Sequence, residues 1–178
     1  EAYYKGIFPW YNEDQPVLWW SPDPRFVLFP EKLKIAKSMR PLLNREKFRV
    51  TFNKEFEKVI EYCGEIDRKG QDGTWITEEI RENYLQLHRE GFAVSTEVWD
   101  GSELVGGLYG IYIRDKKMFC GESMFAKASN ASKFGFIKLV NKLKDEGVKI
   151  IDCQVYTRHL ESLGAEEIPR SQFLEYLK

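Results

Sequence analysis

The chain has little cysteine, almost no histidine and no long apolar run, and each shortage removes a class of function. Only three cysteines occur in 178 residues. Cys63, Cys120 and Cys153 are far apart, odd in number and free of any Cys-x-x-Cys pairing. That supplies neither a disulfide framework nor a zinc site, and it fits a reducing cytoplasm. With His88 and His159 as the sole histidines, metal centres and Ser-His-Asp triads are poorly provided for. No apolar stretch approaches the roughly 20 residues of a membrane-spanning helix, and no signal-peptide pattern is visible. Charge of either sign is also lacking in excess. The net charge is -1, so a polyanionic partner must be met by a local patch. The chain opens on Glu1 in what reads as a helical stretch, and a native segment is expected ahead of it.

What is present is a globular balance of 43% hydrophobic and 31% charged residues, enough for one domain, or one domain with a small appendage, around a real core. Trp10, Trp19 and Trp20 crowd one short stretch. They serve either core packing or a flat stacking surface. Four prolines within residues 1–24 forbid a long helix there. We read residues 1–23 as the end of a small N-terminal domain and 24–178 as the catalytic domain. Residues 25–29 read as a strand. Leu33, Ile35, Ala36, Met39, Leu42 and Leu43 have helical spacing after Pro30. Residues 48–53 read as a strand, Phe56 to Cys63 as a helix face, and 64–73 as a polar surface loop. Thr77 caps a helix that runs to about His88, with Ile80, Tyr84, Leu87 and His88 on its buried side.

The second half changes character. AVSTEVW, ELVGGLYGIYI and KMFCGESMF form three consecutive strands joined by short turns. A helix over about 132–145 follows, and Gly147 stops it. KIIDCQV is an almost unbroken apolar run, as a strand buried on both faces requires. A short helix, a glycine turn, a return strand and a last short helix complete the order. That order resembles the GNAT-type acyltransferase fold, an α+β fold with a mixed, largely antiparallel sheet flanked by helices, here carrying the remnant of a small N-terminal domain. Such sheets splay between central strands and take the acyl donor in the gap.

The words of the sequence narrow this further. KGIFPWY (5–11), WWSPDPR (19–25), GTWIT (73–77), EVW (97–99), ELVGGLYG (103–110), FCGESMF (119–125), NASK (130–133), IIDCQV (150–155) and SLGAEEIPR (162–170) occur in one order and span almost the whole chain. Together they resemble the leucyl/phenylalanyl-tRNA–protein transferase family. The resemblance implies transfer of leucine or phenylalanine, and methionine more weakly, from charged tRNA to the N-terminus of proteins beginning with Arg or Lys. It implies no cofactor, metal or membrane.

An aminoacyl ester attacked by an amine runs downhill to an amide, so the enzyme must supply position, a sink for one proton and a donor for the developing oxyanion. Asp152 and Gln154 are two apart on a strand, which places them on one face. Their bland alternative is a satisfied buried network in which Asp152 pairs with an arginine. The resemblance makes both central to transfer. Asp152 either polarises Gln154 or accepts the amine proton, or the two only position substrate. Glu122, between a glycine and a serine, is the third candidate, fit to hold a cationic acceptor terminus. Cys120 and Cys153 read as buried structural thiols.

Carried over by motif, the aminoacyl pocket comprises Trp10, Trp75, Leu108, Met124 and Leu139, with Tyr3 near the terminal adenosine. Residues 25–49 hold eight Lys/Arg against two acids, a local excess of six. Lys32, Lys34, Lys37, Arg40 and Arg45 are its candidate phosphate contacts. Two rivals remain. An acetyl-CoA-dependent N-acetyltransferase would need a Gly-rich pyrophosphate loop where this chain has AKASNASK. A non-catalytic tRNA- or degron-binding module would have no use for an acid and an amide on a buried strand.

Overall fold

The structure, a computed structural model, describes residues 1–11, 15–66 and 74–178. The strongest apolar runs of the sequence become the middle of a seven-stranded sheet. Its strands are β3 (Arg25–Leu28), β4 (Arg49–Phe52), β5 (Ala93–Asp100), β6 (Glu103–Ile113), β7 (Met118–Ala126), β8 (Ile150–Gln154) and β9 (Glu166–Ile168). They lie in the order β4-β5-β6-β7-β8-β3-β9. Every pairing is antiparallel except β7–β8. The parallel pair spans only Met118–Cys120 against Ile150–Asp152. Beyond it the two strands separate, and the second half of β7 pairs with β6 alone.

Helices cover both faces because both faces are apolar. On one face lie α2 (Phe56–Glu65) and α3 (Glu78–Arg89), with Val59, Ile60, Ile80 and Tyr84 packed under the sheet. Thr77 caps α3 by accepting the Ile80 N–H at 3.3 Å. On the other face lies α4 (Ala131–Asp145), which buries Phe134, Ile137 and Val140. Its start lies close to β6 because Gly106 is bare there: a Cβ would sit 2.8 Å from that of Ala131. Short helices α5 (Arg158–Glu161) and α6 (Arg170–Glu175) flank β9. The described residues of 1–23 include a 3-10 turn, Ala2–Lys5, and the antiparallel pair of β1 (Phe8–Pro9) with β2 (Trp19–Trp20).

Two expectations are corrected. No helix runs through 33–43. Pro30–Lys32 is a 3-10 turn, and only α1 (Arg40–Asn44) is α-helical. Pro41 explains this, since inside a longer helix its ring would clash with the carbonyl of Lys37 and its missing N–H would break the ladder. On α3 the buried partner of Tyr84 is Leu85, while Leu87 and His88 are only half-buried. The helix before the expected 64–73 loop reaches Glu65, and residues 67–73 lie outside the described residues.

Candidate active site

Where β7 and β8 part, a cavity of about 440 Å³ opens. Its walls come from both sides of the sheet. Trp10 and Trp75 belong to the packing under α2 and α3, whereas Leu108, Met124 and Phe136 belong to the packing under α4. Glu122, Asp152 and Gln154 meet it at the gap.

The three polar residues form one bonded chain. Asp152 is 1% exposed and receives Arg25 on both oxygens, Nε to Oδ1 at 2.8 Å and a terminal nitrogen to Oδ2 at 2.6 Å. Oδ1 also accepts the backbone N–H of Gln154 at 2.9 Å. Gln154 has φ of 66°, the left-handed region, and its Nε2 donates to Glu122 Oε1 at 3.2 Å. The hydroxyls of Tyr3 (2.7 Å) and Tyr84 (3.0 Å) also reach Glu122 and lie 2.6 Å from each other, so the two phenol protons serve two of these three contacts at a time when Glu122 is ionised.

Burial pushes the Glu122 carboxyl up to about 7. Hydrogen bonds from Tyr3, Tyr84 and Gln154 hold it down, and the charge of Asp152 pushes it up. Burial, first, and the Glu122 charge raise Tyr3 and Tyr84 well above the usual phenol value. Burial likewise raises the thiols of Cys120 and Cys153, which are inert in that state.

The expected residues are thus largely gathered. Trp10, Trp75, Leu108 and Met124 line the cavity with the polar trio. Leu139 does not. It lies one turn past Phe136 on α4 and borders a separate surface depression with Val94 and Tyr112. Tyr3 is also reassigned, because its hydroxyl is spent on Glu122 and Tyr84 and it is not part of the cavity wall. Asp152 and Gln154 do converge, through the left-handed turn rather than through strand alternation alone. The arginine partner of Asp152 is Arg25, which leaves the basic patch. Lys32, Lys34, Lys37, Arg40 and Arg45 are all on the surface, and Lys32 pairs with Glu166. Sequence reading missed Arg25, Tyr84 and Phe136 as site residues. An arginine opening an otherwise apolar strand was the available signal for the first, since a buried guanidinium needs a carboxylate.

An open mixed sheet that parts beside its one parallel pair and holds an apolar cavity, with a carboxylate and an amide at the gap, is a GNAT-like arrangement. A conserved protein of unknown function from Bacteroides thetaiotaomicron has a similar fold, with TM-score 0.52 at 12% identity, 88% of this chain and 55% of that one. So does L-PGS from Bacillus licheniformis, with TM-score 0.50 at 14% identity, 78% of this chain and 49% of that one. The model of leucyl/phenylalanyl-tRNA protein transferase matches residues 27–178, and that of its N-terminal domain matches residues 1–23. A leucyl/phenylalanyl-tRNA–protein transferase of Christiangramia forsetii is 80% identical over 99% of this chain and 84% of its own length. Those of Flavobacterium johnsoniae (99% and 82%) and Pseudomonas aeruginosa (99% and 77%) are 57% and 51% identical. The chain belongs to the leucyl/phenylalanyl-tRNA–protein transferase family and is an aminoacyltransferase.

Proposed function

We propose that this enzyme moves leucine or phenylalanine, and methionine more weakly, from the 3′-terminal ribose of charged tRNA to the α-amine of proteins beginning with Arg or Lys. The setting is the cytoplasm, and the product is marked for N-degron proteolysis. Residues 24–178 are the catalytic domain, and 1–23 are the end of a small N-terminal domain. The observation that carries the reading is the Glu122–Gln154–Asp152 chain at the gap of an apolar cavity.

The apolar wall of Leu108, Met124 and Phe136 takes the aminoacyl side chain, and the flexible Met124 adapts it to both leucine and phenylalanine. Trp10 and Trp75 offer flat faces to the terminal adenosine. The acceptor amine, with an ordinary pKa near ~8, is already partly neutral at pH 7. Its nitrogen attacks the ester carbonyl. The C–N bond forms, the bond to the ribose oxygen breaks, one proton leaves nitrogen, and one is gained by that oxygen.

Glu122 suits the role of proton acceptor better than Asp152. Its pKa of about 7 is matched to the amine, while Asp152 is already engaged by Arg25, the Gln154 N–H and the Cys120 thiol. Gln154 holds the Glu122 carboxylate and orients the amine beside it. Asp152 acts from behind. Lys32, Lys34, Lys37, Arg40 and Arg45 contact tRNA phosphates. Ester aminolysis is downhill and needs neither cofactor nor metal.

The test uses labelled Leu-tRNA and a protein beginning with Arg. Label is expected on the α-amine. Asp152→Ala and Gln154→Ala are each expected to lose at least ~10²-fold in transfer while binding of charged tRNA persists. No label on the acceptor, or near-normal turnover in both variants, overturns the reading.

A further inference from the structure

Arg25 belongs by sequence to a run of surface cations, yet it is 1% exposed. Its guanidinium carbon lies over two aromatic rings, 4.8 Å from the centre of Phe8 and 4.6 Å from that of Phe173. One ring comes from the N-terminal hairpin and the other from α6. In that slot the fork engages both oxygens of Asp152. A lysine, with a single point of charge, cannot reproduce this planar two-bond grip.

The grip matters for what lies beyond it. Oδ1 of Asp152 also holds the Gln154 N–H at 2.9 Å. Gln154 is not a glycine, so its φ of 66° is strained and persists only because its surroundings impose it. At the same place β3 takes a register shift between Phe26 and Val27, opposite Gln154 and Asp152. The turn brings the Gln154 amide to Glu122.

We infer that Arg25 is a positioning residue for aminoacyl transfer: through Asp152 it holds the left-handed turn that aims the Gln154 side chain at Glu122. The inference rests on the proposed roles of Gln154 and Glu122.

The experiment compares Arg25→Lys, Gln154→Ala and the double variant in steady-state transfer, with near-UV circular dichroism and thermal unfolding to establish folding. Arg25→Lys is expected to lower kcat by about tenfold or more, with the KM for charged tRNA changed less than about twofold, because an interaction made in the reaction and not in binding is lost. The decisive reading is the double variant. If Arg25 acts through Gln154, its kcat effect disappears once Gln154 is alanine, although the thermal destabilisation remains. Full additivity of the two kcat losses, or unchanged kcat in a folded Arg25→Lys, overturns the inference. Should Arg25→Lys not fold, Asp152→Asn keeps the shape and weakens the same link, and its kcat loss is read against Gln154→Ala in the same way. Near-normal kcat in Gln154→Ala alone would instead sink the role of Gln154, a separate failure.

Discussion

Glu122 carries conflicting demands at the scale of one residue. A carboxyl held at about 7 is well poised to take a proton from an amine, but the fold must tolerate its charge while doing so. Its ordinary value is 4.5, so the folded state prefers the protonated acid. Stability from this group is fully present below pH 4.5 and is lost as pH rises through about 7, with an upper bound of about 3 kcal/mol. Glu122→Gln removes that loss. The thermal midpoint of the variant is therefore expected to gain on the wild type between pH 5 and 7.5, while transfer falls by ~10²-fold or more. In the wild type, transfer is expected to rise more than tenfold per pH unit below pH 7, where Glu122 and the acceptor amine must both lose a proton, and to level only above the amine's own value near ~8. The other groups facing Glu122 do not disturb this window. Burial raises Tyr3 and Tyr84 well above the usual phenol value, and Gln154 does not titrate. Parallel midpoint curves for the two proteins would show that Glu122 titrates as an ordinary acid.

Among the elements, those whose signal is local were legible and those set by a distant partner were not. Strands β5 to β8 were readable because apolar content and turn residues mark them from within, and Thr77 announced α3 by capping it. The stretch 33–43 has helical spacing, yet Pro41 divides it and tertiary packing decides the rest. Met39 enters the core under α4, and the Lys34 N–H donates to the Leu163 carbonyl at 2.8 Å. Gly164 makes that approach possible, with φ of 103° and a Cβ that would fall 2.3 Å from the Lys32 carbonyl oxygen. The left-handed turn ending β8 was equally invisible, because it depends on Arg25, 127 residues from Asp152 in sequence. The basic residues are therefore spread along an irregular segment that meets the turn at Leu163–Gly164, just after α5, the helix supplying His159 and Leu160 to the cavity. Reversing the charges of Lys37 and Arg40 is expected to raise the apparent KM for tRNA and to flatten its salt dependence, the slope falling by about one for each phosphate that is no longer neutralised. An unchanged slope in filter binding across a salt series from about 50 to about 200 mM would leave the segment merely solvated.

At the scale of the whole molecule, the described residues ahead of residue 24 pack against the candidate site. Tyr3 bonds Glu122, Phe8 covers Arg25, and Gly6 packs against Phe173 and Leu174 of α6, where a Cβ would fall 2.7 Å from the Leu174 side chain. The division between the two family models, after residue 23, therefore separates segments whose side chains touch in the fold. The cavity has a comparable reach, since it is walled from both sides of the parted sheet. That sets the order of events. A cavity of that reach can hold donor and acceptor at once, and no exposed thiol stands ready to carry the acyl group between them, because both cysteines in FCGESMF and DCQV are buried with raised pKa values. Initial rates measured over a grid of Leu-tRNA and acceptor concentrations should therefore give double-reciprocal lines that intersect, the signature of a ternary complex. Parallel lines would mean that the enzyme is acylated first and that the two substrates never meet.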